Sequence, residues 1–203
     1  MPKREGVLLE SEASADPLEQ FRGWYSEAEA AGVRAPHALA LATASADGAP
    51  SVRMVLLKGA DERGFAFYTG YVSRKAADLE ANPRAAALFY WDPLGRQVRI
   101  EGTVERVSAE ESDQYFATRP RGAQLAAAAS RQTAVLAARS DLDALFAELE
   151  REHPDEVPRP EHWGGYRLLP ETYEFWQHRE NRLHDRLRYR RDGNAWVVER
   201  LSP

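Results

Sequence analysis

Two hydrophobic periods divide the chain. Leu18, Phe21, Tyr25 and Ala28 recur at helical spacing behind Asp16-Pro17, a helix cap and a first-turn proline, and Gly32 is placed to end that helix. From His37 the period changes to two. Leu39, Leu41 and Thr43 alternate with alanines, and Ala46-Asp47-Gly48 reads as a hairpin turn. Strands are predicted over 50–58, 64–69, 84–91 and 97–107, with a short helix after Ser73. Ser108 and Glu111 have capping-box spacing and open a helix that carries Tyr115 and Phe116. The alanine-rich stretch 124–129 is read as helix, and 141–151 as an amphipathic helix with Leu142, Leu145, Phe146 and Leu149 inward. Three prolines make 153–160 a loop. Strands over 166–169, 172–177 and 185–191 follow, the last joined through Asp192-Gly193-Asn194 to 195–201.

Many antiparallel strands with a few helices predict an α+β, barrel-like domain. No repeat or long linker interrupts the pattern, so residues 16–203 read as a single domain behind a flexible polar arm, residues 1–15. At 203 residues and 43% hydrophobic, the chain can bury a sizeable core. Its charge of −5 provides no global field for nucleic acid or an anionic membrane, so any anion has to be held by a local cluster of bases. The absence of cysteine excludes disulfides, thiolate metal sites and cysteine nucleophiles. The first ten residues lack the apolar stretch of a signal peptide, and no run approaches the ~20 apolar residues of a membrane span. A cytoplasmic protein is expected.

The densest chemical signal is Tyr68-Thr69-Gly70-Tyr71-Val72-Ser73-Arg74-Lys75, where a strand gives way to a helix start. Backbone amides, a helix dipole and two cations converge there, as an anion site requires; the alternative is a capped surface helix with solvated bases. Arg53 and Lys58 lie five apart on the preceding strand, on opposite faces by strict alternation. Both serve one pocket only if Lys58 lies at the strand end, or if a bulge or second subunit intervenes. Gln97, Arg99 and Glu101 share a face too polar for core, which is either solvent-facing or a polar ligand wall. Tyr115 and Arg119 are four apart on a helix, a phosphate grip or an ordinary surface pair. Bases at Arg182, His184 and Arg186 repeat with period two, and Trp176 lies just upstream, a platform for a flat ring or plain core. A histidine between arginines is pushed toward the neutral form. The histidines lack metal-site spacing, and no Gly-x-Ser-x-Gly, Walker-type or Gly-x-Gly-x-x-Gly motif is present.

Taken in order, these segments resemble the pyridoxine/pyridoxamine 5′-phosphate oxidase family from Asp16 to Pro203. The matching blocks include Arg53 to Lys58 (RMVLLK), Ser73-Arg74-Lys75, Arg96-Gln97-Val98, Arg119-Pro120, Trp163-Gly164-Gly165, Glu174 to Gln177 and Arg182 to Arg186 (RLHDR). The resemblance implies an antiparallel split β-barrel with peripheral helices that binds FMN and forms a homodimer, each flavin lying between subunits. It assigns FMN binding to Arg53, Met54, Val55, Leu56, Tyr68, Thr69, Arg74, Lys75, Gln97, Gln132, Thr133, Trp176 and Arg186. Lys58, Tyr115, Arg119, Arg182 and His184 would hold a phosphorylated B6 vitamer, the last two placing its 4′ carbon over the flavin as the catalytic pair. The implied reaction passes hydride from that carbon to the flavin, with O2 as acceptor, H2O2 as by-product and pyridoxal 5′-phosphate as product. Ala123 departs from a serine that usually contributes to the substrate phosphate site, and His178-Arg179 stands where a glycine usually follows Phe-Trp-Gln. Two other functions remain: a related flavin oxidase of the phenazine-pathway type, and a non-catalytic flavin or pyridoxal-phosphate binder.

Overall fold

The computed structural model describes residues 6–193 and 195–203. The first five residues of the expected arm, and Asn194 of the expected final turn, lie outside the described residues.

Helix α1 (Pro17–Ala30) opens as its sequence predicts: Asp16 Oδ1 accepts from the Leu18 amide at 2.9 Å. Its buried stripe is Leu18, Phe21, Trp24 and Ala28. Phe21 packs edge-on to Phe65 at 4.9 Å, and Trp24 edge-on to Phe175 at 5.3 Å, so α1 closes one mouth of the barrel. Strands β1 (Ala38–Ala44), β2 (Pro50–Leu56), β3 (Gly59–Asp61), β4 (Gly64–Gly70), β5 (Arg84–Trp91), β6 (Arg96–Arg106), β7 (Trp163–Gln177), β8 (Asp185–Asp192) and β9 (Ala195–Arg200) form one antiparallel sheet. Its order is β2-β1-β5-β6-β7-β4-β3, with β8 and β9 branching from β7.

The branch is what splits the barrel. The first half of β7 pairs with β4 from Trp163 to Leu168, and its second half pairs with β8 from Thr172 to Gln177. Between them the register against β6 shifts at Glu101/Gly102, which face Thr172 and Pro170 and leave Glu171 as the extra residue of a bulge. Two separate strands, 166–169 and 172–177, were expected here. They are one strand because Pro170, which lies between them, sits at a bulge where its missing N–H breaks no regular ladder. The three-residue strand β3 is too short and too rich in small residues to show a period.

Helices α2 (Arg74–Ala81), α3 (Ala109–Ala117), α4 (Arg121–Ala129) and α5 (Arg139–Glu152) complete the fold. Phe116 of α3 and Leu125 of α4 bury with Trp163 and Val157 in a second cluster, which Phe146 and Leu149 of α5 cover. The inward stripe predicted for α5 is narrower than expected, since Leu145 is 40% exposed. Ser108 accepts from the Glu111 amide at 3.0 Å, but the Glu111 carboxylate turns to Arg167 and Arg63 instead of closing a box.

The residues before α1 are docked from Gly6 onward. Leu8 is buried, its amide donates to Asp185 Oδ2 at 3.3 Å, and Arg200 grips Glu10 through two contacts of 2.7 Å. Among the described residues, no helix is long and apolar enough to cross a membrane.

Candidate active site

A cleft of about 1100 Å³ opens between β2, the β4–α2 junction and the α3–α4 turn. Its floor is cationic. Ser73 sits at the N-cap position of α2 without making a capping hydrogen bond; its Oγ accepts instead from Lys75 Nζ at 3.2 Å. The Lys75 ammonium also donates to Thr69 Oγ1 at 2.9 Å and to Gln132 Oε1 at 3.0 Å. All three acceptors are neutral, and the side chain is buried. Burial, reinforced by the charge of Arg53, therefore pushes its pKa down to about 8. The Arg74 amide donates to Thr133 Oγ1 at 3.1 Å, and Thr133 adopts a left-handed φ of 69°, a strained conformation for a β-branched residue. Burial also lowers the Arg53 pKa, against the pull of Asp78.

Lys58 lies two residues past the end of β2, so it lines the same cleft as Arg53 despite the odd spacing. Arg119 lies beyond α3, whose C-cap is Thr118; the one-face helical argument for Tyr115 and Arg119 thus fails, yet both residues line the cleft. What joins them is an aromatic stack. Tyr68 and Tyr115 stack at 4.0 Å, and Trp163 lies nearly parallel to Tyr115 at 6.2 Å. The Arg119 guanidinium rests 4.6 Å over Trp163, and Lys58 Nζ lies 5.9 Å from the Tyr115 ring. Burial lowers the Arg119 pKa and lifts the Tyr68 phenol to about 12. The Arg119 guanidinium is therefore partly stripped of water before any ligand arrives, which strengthens its attraction for an anion.

Arg53, Met54, Val55, Leu56, Lys58, Tyr68, Thr69, Arg74, Lys75, Tyr115, Arg119, Gln132 and Thr133 all line this cleft, and so does Ala123. Gln97, Trp176, Arg182, His184 and Arg186 do not. They form a second group around β6, β7 and β8, where Gln97, Trp176 and Arg186 are cross-strand neighbours on one face. The His184 ring lies 4.5 Å from Trp176. Its Nδ1 accepts from the Arg179 amide at 3.1 Å, which leaves the proton of the neutral ring on Nε2. Burial, with His178 and Arg182 nearby, lowers its pKa. Asn181 and Arg182 both have left-handed φ, 55° and 61°, in the turn that carries this group. Arg186 donates to Glu174 Oε1 and to the Ser202 carbonyl, each at 2.8 Å. Trp163 and Trp176 are 13 residues apart on β7, roughly 40 Å of strand contour at about 3.3 Å per residue. The two groups therefore sit toward opposite ends of the longest strand.

Sequence reasoning missed Ser51, Thr118, Ser130 and Trp163 as lining residues. Ser51 was accessible from period two, being on the same face as Arg53; Thr118 and Ser130 depend on helix-end geometry that no period encodes, and Trp163 on the pairing of β7 with β4.

The curled, branched sheet and its basic cleft define a split-barrel, flavin-binding oxidoreductase. Residues 25–152 match the family model described as pyridoxamine 5′-phosphate oxidase, and residues 163–203 match that of the pyridoxine 5′-phosphate oxidase C-terminal dimerisation region. The chain belongs to the pyridoxamine 5′-phosphate oxidase family. A pyridoxine/pyridoxamine 5′-phosphate oxidase of Rubrobacter xylanophilus is 59% identical over 197 residues, covering 97% of this chain and 91% of the relative. Its counterpart in Bordetella petrii is 56% identical over 200 residues, 98% and 95% of the two chains. Among solved structures, PhzG from Burkholderia lata, in complex with tetrahydrophenazine-1-carboxylic acid, superposes with a TM-score of 0.92 at 38% identity, covering 97% of this chain and 98% of that one.

Proposed function

We propose that this chain is an FMN-dependent oxidase that converts pyridoxamine 5′-phosphate or pyridoxine 5′-phosphate to pyridoxal 5′-phosphate, using O2 and releasing H2O2, with the cytoplasm as its expected compartment. The observation that carries the reading is the pairing, in one cleft of an acidic molecule, of two cationic clusters: Arg53, Arg74 and Lys75 at one end, Lys58 and Arg119 on the aromatic stack at the other. Two phosphorylated ligands fit that arrangement, and one alone does not need it. The site also fits FMN at Lys75, whose ammonium has three neutral acceptors and gains its first counter-charge when a phosphate binds.

In this reading Arg53, Arg74 and Lys75, with Thr69, Gln132 and Thr133, hold the flavin phosphate, while Met54, Val55, Leu56 and Tyr68 border the rest of the cofactor. When bound, FMN supplies the two-electron oxidation and hands the electrons on to dioxygen. Lys58, Tyr115 and Arg119 hold the substrate phosphate. Ala123 offers no hydroxyl there, so Arg119 carries more of that anion's binding.

The second group completes the site from a second subunit. Gln97, Trp176 and Arg186 border the flavin across a homodimer interface, and Arg182 with His184 positions the substrate's 4′ substituent, His184 donating from Nε2. Support comes from the absence of all five residues from the cleft lining and from the match of residues 163–203, which hold four of the five, to a dimerisation region. Val52, Met54 and Leu56 also lie exposed along β2, at the edge of the sheet, a surface suited to burial against a second copy.

Purified protein should be yellow, release FMN on denaturation, and form pyridoxal phosphate and peroxide from pyridoxamine 5′-phosphate in air. Bound flavin without turnover of either phosphorylated vitamer would reject the substrate. The phenazine-type reading rests on the PhzG likeness, at 38% identity against 56–59% for the oxidases above. Oxidation of tetrahydrophenazine-1-carboxylic acid in preference to the vitamers would favour it.

A further inference from the structure

Arg53 is aimed by Thr43 and Leu41, which lie behind the cleft, and by Ser51 on its wall. Its Nη1 donates to Thr43 Oγ1 at 2.8 Å and to the Leu41 carbonyl at 3.1 Å, and its Nη2 donates to Ser51 Oγ at 2.5 Å. A hydroxyl has one proton to give. Thr43 and Ser51 both give theirs to the same oxygen, Asp78 Oδ2, at 2.6 and 2.7 Å. With those protons committed, the hydroxyl lone pairs face the guanidinium. Asp78 is only 5% exposed, lies four residues after Arg74 on α2, and its Oδ2 stands 3.8 Å from Arg53 Nη2. The hydroxyl of Thr43, followed by that of Ser51 and the charges of Arg74 and Arg53, holds its pKa below the usual carboxylate range against the effect of burial. A buried, ionised carboxylate thus sits behind the phosphate cradle, and binding of the flavin does not itself use it.

We propose that Asp78 is a positioning residue for phosphate recognition: through the hydroxyls of Thr43 and Ser51 it fixes the Arg53 guanidinium in the orientation that grips the cofactor's phosphate. The inference rests on the reading of this cleft as the FMN site. It makes the preference for a phosphorylated flavin over the same ring without phosphate depend on a residue that touches neither.

The test is titration of flavin-free protein with FMN, riboflavin and inorganic phosphate. Asp78→Asn keeps the shape and removes the charge. We expect it to weaken FMN about tenfold, the loss of one hydrogen bond to a charged group, while riboflavin affinity stays within about twofold. In an Arg53→Ala background the same substitution should change FMN affinity by less than about twofold. Equal weakening of FMN and riboflavin, or an undiminished effect without Arg53, assigns Asp78 a purely structural role and overturns the proposal, as does unchanged FMN affinity in Asp78→Asn. Thr43→Val, at a buried residue outside the cleft lining, cuts one arm of the relay with Asp78 in place; it should lower FMN affinity with riboflavin affinity unchanged, and retained FMN affinity would overturn the proposal independently of how Asp78→Asn folds. If the unaltered protein bound neither FMN nor phosphate, the cleft assignment would fail, an outcome distinct from all of these.

Discussion

If the two groups of site residues belong to different subunits, two defective chains can repair one another. Lys75→Ala damages the cleft, and Arg182→Ala damages the group around Trp176, leaving the other half intact in each case. Losing a charge-assisted bond to phosphate costs about 1.5–3 kcal/mol, so Lys75→Ala should bind FMN roughly 10- to 150-fold more weakly and stand empty at a concentration that fills the unaltered protein. Arg182→Ala should keep its flavin and turn over slowly. Random pairing of equal amounts makes about half of the dimers mixed, and each mixed dimer has one wholly intact site and one doubly damaged site. Co-refolded samples should therefore recover about a quarter of the unaltered activity at limiting FMN. That number follows from random pairing together with the division of the site residues between the cleft and the group around Trp176. Activity no higher than the mean of the two variants would mean that each site is built within one chain, and the dimeric account would be abandoned.

Three further outcomes follow from particular residues. Free Lys75 titrates near 8, below the ordinary lysine value, and a bound phosphate restores its charge, so FMN binding above that pH takes up a proton. FMN affinity should be level from about pH 7, above the second pKa of a phosphate monoester at about 6, to about pH 8 and fall above it, while Lys75→Met should lack that Lys75-dependent fall. By the same linkage Lys75 lowers the stability of the flavin-free fold below pH 8, and this penalty disappears as pH rises toward the ordinary lysine value, a trend that denaturant titration of both proteins would check. A Cβ at Gly102 would lie 1.9 Å from the Leu169 carbonyl oxygen, so Gly102→Ala should cost about 1–3 kcal/mol by forcing the bulge apart. Gly122→Ala in α4 meets nothing within 4 Å and should gain about 0.4–1 kcal/mol, so thermal scans should move in opposite directions. Arg119→Lys keeps the charge but loses the flat face that rests on Trp163; KM for the phosphorylated substrate should rise several-fold with FMN affinity unchanged, as steady-state kinetics would show.

The strands with one buried face were legible because alternation survives in the sequence: Leu39, Leu41 and Thr43 are all buried, and α1 starts and stops where its cap and glycine indicate. The long β7 was not, because Pro170 signals a break locally, while the bulge that tolerates it depends on Gly102, nearly 70 residues earlier. The α5 stripe was over-read because amphipathic spacing shows which side can face protein, not how much protein is there to face. In the site, Arg53 and Lys58 could be joined only by knowing that β2 stops at Leu56. Asp78 escaped notice although it lies one helical turn from Arg74, a spacing at which opposite charges interact. Its role depends on hydroxyls from two strands that periodicity cannot align. The resemblance named the residues in both groups, but the distance between those groups is a property of the folded strand.

The most direct test of the central claim is to mix the yellow protein with pyridoxamine 5′-phosphate in the absence of oxygen. The account predicts that the flavin band bleaches in a single turnover, with one pyridoxal 5′-phosphate formed per flavin, and that admitting air restores the colour and yields peroxide. A flavin band that stays oxidised with saturating substrate, or one that bleaches equally well with unphosphorylated pyridoxamine, would contradict it.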